Sequence, residues 1–152
     1  KELNATIMAL VGEGQTLGYR LRELIIMRLS WVSQSDYEWT QHWMASLFLG
    51  LTEAELVAIR DWQNADCFDE KDQAVLAATD AILATGTIGE TQFKKLSALF
   101  PEPMMLIEVV TCVGNWHMFS QIIRSLDIPL EEGFDSWPPD GVAPPDRVAP
   151  KA

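Results

Sequence analysis

The sequence predicts an all-α protein, a compact bundle of six to seven helices, and three observations carry that prediction. Apolar residues recur at helical spacing along nearly the whole chain, and helix start and stop signals punctuate it. Strand signals are close to absent: there is no alternating apolar–polar run and no hairpin dipeptide between apolar segments.

Taken in order, "ELNATIMALV" puts Leu3, Ile7, Leu10 and Val11 on one face of a short helix that Gly12 and Gly14 end. In "YRLRELIIMRLSWVSQ" the apolar positions run almost all the way round, as expected of a central helix. The polar "SQSD" breaks that pattern, and Ser35 or Asp36 is placed to N-cap a helix over about residues 37–49, stopped by Gly50. Thr52 and Glu55 form a capping box for a short fourth helix. Asp69 caps "EKDQAVLAATDAILAT", which terminates at Gly86, and Thr87 with Glu90 reads as a second capping box. Pro103 stands where a first-turn proline belongs and opens a long helix to about Leu126. The helices around residues 20–34, 37–49 and 103–126 are expected to form the core. Residues 1–130 then make one helical domain, with further chain expected upstream of Lys1. Residues 131–152 make a proline-rich acidic tail that wraps a surface or a neighbouring subunit, or stays mobile.

Composition narrows the function classes. Eleven basic residues against 22 acidic ones give a net charge of −11, which argues against nucleic acid and against an anionic membrane surface as partners. The longest apolar run, "MMLIEVVTCVGNWHMFSQII", carries Glu108, Asn115, His117 and Gln121 and is too polar to span a bilayer. Cys67 and Cys112 have neither CxxC nor metal-ligand spacing and read as buried reduced thiols, consistent with a cytoplasmic protein.

Chemistry concentrates at a few positions. Glu38 and His42, four apart in "SDYEWTQHW", share one helix face. Three readings stay open for them: an ordinary ion pair, half of a metal site completed by His117, or an acid/base pair facing a substrate. His117 lies on an otherwise apolar helix, with Gly114 one turn earlier leaving room beside it. It is either a satisfied core histidine or a ligand-facing one. Glu23 and Arg28 stand inside a run that should be buried, where charges are costly unless paired. They either pair between helices or subunits, or act functionally: Glu23 with a carboxyl raised by desolvation, Arg28 as the partner of a substrate carboxylate. Trp39 and Trp116, next to these polar groups, are the candidates for substrate contact among six tryptophans that are mostly core. No glycine-rich phosphate loop, GxSxG or HExxH is present.

"LRELIIMRLSWVSQSDYEWTQH", "LGLTEAEL", "FDEKDQAVLAATDAIL" and "VGNWHMFSQIIRSLDIPLEEG", spread over roughly residues 20–133, resemble the carboxymuconolactone decarboxylase and alkylhydroperoxidase D superfamily. The resemblance implies a compact helical fold assembled as homotrimers or hexamers. The peroxidase branch carries a glutamate, a CxxC twelve residues on, and a histidine four residues after the second cysteine. Here Glu23 and His42 hold the glutamate and histidine positions, while Ser35 and Glu38 replace the cysteines. Thiol peroxidase chemistry needs a reactive thiolate and a resolving partner, so the replacement excludes it. The cysteine-free branch implies instead a cofactor-independent lyase that decarboxylates a small carboxylated lactone or related unsaturated acid, of the kind met in aromatic-compound catabolism. The proton transfer would fall to Glu23, Glu38, His42 and His117, with no metal. The alternatives are an isomerase or other acid/base enzyme on a different small molecule, and a non-catalytic binding or structural oligomer.

Overall fold

The computed structural model describes residues 15–145. The amphipathic segment expected over residues 2–11 lies outside them. Six α-helices follow: α1 (Tyr19–Ser33), α2 (Asp36–Phe48), α3 (Glu53–Ala58), α4 (Glu70–Thr85), α5 (Glu90–Leu99) and α6 (Pro103–Ser125), with a 3₁₀ segment (Ile59–Asn64) between α3 and α4. The described residues contain no strand.

The all-round apolar pattern of α1 has a direct structural cause. This helix is the hub of the bundle, packed by α2, α4 and α6 on different sides, so Leu24, Ile25, Ile26, Met27 and Leu29 are all fully buried. It divides the interior into two clusters. On one side Ile25, Ile26 and Leu29 meet Val75 and Ala78 of α4, Leu96 of α5, and Val109, Val113 and Trp116 of α6. On the other, Leu24, Met27 and Trp31 meet Trp39 and Trp43 of α2, Leu56 of α3 and Trp137 from beyond α6.

The break between α1 and α2 takes two residues. Gln34 adopts the left-handed conformation (φ 59°, ψ 39°) as the C-cap of α1, and Ser35, extended, is the N-cap of α2. The chain therefore doubles back, and α1 and α2 form an antiparallel hairpin. Thr52–Glu55 and Asp69–Asp72 both form complete capping boxes, and Gly86 ends α4 with a positive φ of 79°. The box expected at Thr87 does not form. The helix starts two residues later with Gly89 as N-cap, so Thr87 hydrogen-bonds the Ile88 carbonyl and Glu90 pairs with Lys94 at 2.6 Å.

Beyond α6 the chain crosses back over α2 as a strap. The Tyr37 hydroxyl and Gln41 amide donate to Glu131, the Trp39 indole donates to the Pro138 carbonyl, and Asp36 accepts from Ser136 and the Trp137 N–H. Arg60, its guanidinium 4.8 Å from the Trp31 ring centre, binds Asp140 through two nitrogens. That hydrogen-bonded pair holds the Asp140 carboxyl down at about 2.

Candidate active site

The hairpin sets the inner face of α2 against the N-terminal half of α1, and Glu23 meets His42 there. Glu23 Oε2 lies 2.7 Å from His42 Nδ1, and Arg22 Nε donates to the other oxygen at 3.1 Å. From α6 the Trp116 indole N–H donates to His42 Nε2 at 2.9 Å. Glu38, one turn before His42, brings Oε2 to 3.5 Å from the same nitrogen. Glu23 and Glu38 are buried, while the His42 side chain keeps 20% of its surface exposed. Three helices thus converge on one imidazole, the most exposed side chain of the cluster.

This geometry fixes the resting state of the histidine. An indole nitrogen can only donate, so His42 Nε2 accepts and carries a lone pair. The proton then sits on Nδ1 and points at Glu23. The imidazole is neutral and oriented, with its basic nitrogen away from the buried carboxylate, an arrangement suited to general-base work.

The two carboxyls are pushed in opposite directions. Burial alone would raise Glu23, as the sequence suggests, but the hydrogen bond from His42 and the positive charge that imidazole carries when protonated, aided by Arg22, outweigh it and Glu23 falls below the ordinary glutamate value. Its expected elevation is therefore reversed by its partners. Burial raises Glu38, Glu23 adds to the rise, and His42 only partly offsets it. One carboxyl is held as an anion while its neighbour is biased towards the neutral acid, a division that suits a base-orienting group and a proton donor.

Other sequence-designated residues lie elsewhere. Arg28 is fully engaged: Nε and Nη2 bind Asp80 at 2.6 and 3.0 Å, and Nη1 binds the carbonyls of Ile59 and Arg60. It clamps α1 to α4 and the 3₁₀ segment rather than waiting for a substrate carboxylate. Trp39 is fully buried in the second core cluster with its indole on the strap, so it is not available to touch a substrate. His117 is half-buried on α6, and its neighbour Trp116 reaches His42. No group of three or more His, Cys, Asp or Glu side chains among the described residues is arranged to hold a metal ion. Cys112 is buried, and burial pushes its thiol well up; Cys67, expected to be buried, is exposed in the loop before α4. Ser35 sits at the expected turn with its hydroxyl buried and unbonded.

Sequence reasoning passed over Arg22. Adjacent helix residues do not normally face each other, so spacing rules give no reason to pair it with Glu23. Two cavities flank α2 without including Glu38 or His42. One of about 380 Å³ lies between the start of α2 and the end of α6, and one of about 390 Å³ lies between α2 and the strap. No described helix is long and apolar enough to cross a membrane.

A model of the carboxymuconolactone decarboxylase family matches residues 1–81, just over half the chain. No curated protein matches the sequence. Among solved structures, a protein of unknown function from Agrobacterium tumefaciens, provisionally described as the antioxidant defence protein AhpD, is similar with a TM-score of 0.77. The two are 22% identical over 86% of this chain and 90% of that one. A peroxidase-related, uncharacterised protein from Silicibacter sp. TM1040 gives a TM-score of 0.78 at 16% identity, over 88% of this chain and 70% of that one. The debrominase Bmp8, in a cysteine-to-alanine variant with 2,3,4-tribromopyrrole, gives 0.75 at 14% identity, over 86% and 70%. At these identities the likeness is one of fold.

Proposed function

The chain belongs to the carboxymuconolactone decarboxylase family, and on that premise we propose that it is a cofactor-independent acid–base enzyme working through Glu23, His42 and Glu38. The reaction is the loss of CO₂ from a small carboxylated lactone or related unsaturated acid. The observation that carries this reading is the imidazole held between a lowered and a raised carboxyl, with Glu23 at 2.7 Å from Nδ1 and Glu38 at 3.5 Å from Nε2. When the carbon–carbon bond to the carboxylate breaks, its electron pair is left delocalised over the conjugated lactone and must be met by one proton on carbon. Glu38, biased towards the neutral acid, is placed to supply that proton. His42 Nε2 then takes a proton from solvent and passes it to the Glu38 carboxylate across the 3.5 Å between Nε2 and Oε2, while Glu23 stabilises the imidazolium that forms during the exchange.

A second reading is favoured by one observation, the commitment of Arg28 to Asp80. With that guanidinium occupied and Arg22 on Glu23, an uncharged substrate suits the site as well as a carboxylate does. The same residues would then shift a proton between two carbons, as an isomerase does. The subunit is further proposed to work as a homo-oligomer, because Phe48 on α2 and Met104, Ile107 and Val110 on α6 leave large apolar side chains exposed. Light scattering at micromolar concentration that shows only monomer refutes this.

The function is tested by screening small unsaturated lactones and keto acids, with CO₂ release and loss of ultraviolet absorbance followed together and His42→Ala as the control. Decarboxylation is expected to release CO₂ in step with the lost conjugation. Isomerisation changes the absorbance alone. Turnover that His42→Ala retains in full refutes both.

A further inference from the structure

Trp116 occupies the position at His42 Nε2 that a reacting group would need. Its ring is 5.8 Å from the imidazole and near-perpendicular, so the indole N–H, not the ring face, meets the nitrogen. Trp116 is only 4% exposed and anchored in the first core cluster, so it approaches His42 from a fixed base. The same nitrogen has a second neighbour of opposite hydrogen-bonding character, Glu38 Oε2 at 3.5 Å, beyond the range of a good hydrogen bond.

We propose that Trp116 is a positioning residue that caps the lone pair of resting His42, and that protonation of Nε2 hands this nitrogen over from the indole to Glu38. Before protonation, Nε2 accepts from Trp116 and offers a carboxylate nothing. After protonation, Nε2 and the indole are two donors facing each other. Among the described residues the acceptor within reach is then Glu38, and the pair tightens as the indole is released. The groups bearing on the imidazole are Glu23 from α1, with Arg22 behind it, Glu38 from α2 itself, and Trp116 from α6. Glu23 holds the Nδ1 proton in both states, so only the Nε2 side switches. The indole also excludes water from the base until a substrate group takes its place. This role rests on the reading of His42 as the proton carrier, although the exchange of partners is a property of the resting protein and is measured without substrate.

The test is nitrogen NMR of the full chain, isotope-labelled at histidine and tryptophan, with the two histidines told apart by the resonances lost in His117→Gln. In the neutral limb His42 is expected to show a protonated Nδ1 and a bare Nε2, and one indole N–H resonance is expected to move in step with its protonation. Trp116→Phe should abolish that resonance. It should also let His42 take up its proton about tenfold more readily, a midpoint about one pH unit higher, which is the value of one hydrogen bond lost from the neutral form. A neutral His42 protonated at Nε2, an absence of any indole that follows it, or a midpoint unmoved in Trp116→Phe each overturns the proposal. Should the phenylalanine variant fail to fold, the coupling of indole to imidazole in the wild-type protein decides alone. Loss of that coupling in a protein that still turns over lactones removes this role and spares the acid–base function. Intact coupling with no turnover on any substrate does the reverse.

Discussion

Glu38→Gln is expected to make the protein more stable and less active. The substitution keeps the shape of a side chain whose surface is 8% exposed and removes its ability to ionise. Burial raises the Glu38 carboxyl in the fold, and its one cationic neighbour, His42 when charged, stands at 3.5 Å. Between the ordinary glutamate value and the higher folded one, the native state therefore binds more protons than the unfolded chain. The contribution of Glu38 to stability is complete below the unfolded value and is lost as pH rises through the folded value. For a single proton the loss proceeds at up to about 1.4 kcal/mol per pH unit. Glutamine does not titrate, so the stability difference grows in its favour across that window and is constant above it. Urea denaturation of both proteins at steps from about pH 4 to about pH 8 reads the difference directly. Turnover should fall by roughly 10²–10⁴-fold, the range for removing general acid help. A variant less stable than wild type at neutral pH, with a difference that does not vary with pH, would refute the argument that Glu38 is held against its own ionisation.

The remaining predictions separate site from scaffold. Glu23→Gln should cost about 1.5–3 kcal/mol at neutral pH, the value of hydrogen bonds made to a charged group, and should also lower turnover. Because the folded Glu23 carboxyl lies below its ordinary value, that stability is present above the ordinary glutamate value and is lost as pH falls through the folded one, a slope opposite to that of Glu38. Equal stability of variant and wild type at neutral pH would contradict it. Arg28→Met should lose about 1–3 kcal/mol in denaturation, between the values for exposed and for fully buried ion pairs, because the pair is half-buried and Asp80 keeps Trp62 and Gln63 as donors. KM for any substrate found should not move, and a raised KM at unchanged stability would return Arg28 to the substrate. Trp137→Ala should lose about 3–5 kcal/mol, the range for truncating a buried tryptophan, measured in the same way; a loss under about 1 kcal/mol would mean that the strap contributes little to the second cluster.

Much of the fold was legible because it is encoded in local signals. The capping residues at Thr52 and Asp69, the stop at Gly86 and the proline opening α6 each act within one or two turns, and the structure keeps all four. The failure at Thr87 is of the same local kind, since the pattern was present two residues before the helix begins. The pairing of Glu38 with His42 was legible from helix geometry alone. The roles assigned to Arg28 and Trp39 were not, because both residue types suit a binding site and an interior equally well. What decides between the two is whether their polar atoms find protein partners. Asp80, 52 positions from Arg28, and Pro138, 99 positions from Trp39, supply those partners.

By itself, then, the sequence determined an all-α chain, a buried central helix and a glutamate–histidine face on the helix after it, because helix periodicity and capping are interactions among neighbours along the chain. Only the tertiary structure decided that Glu23 is an anion and Glu38 is biased towards the acid. It also decided which nitrogen of His42 is bare and that Trp116 donates to it. Those properties depend on desolvation and on donors from three helices, and in the chain Trp116 stands 74 positions from the imidazole whose lone pair it caps.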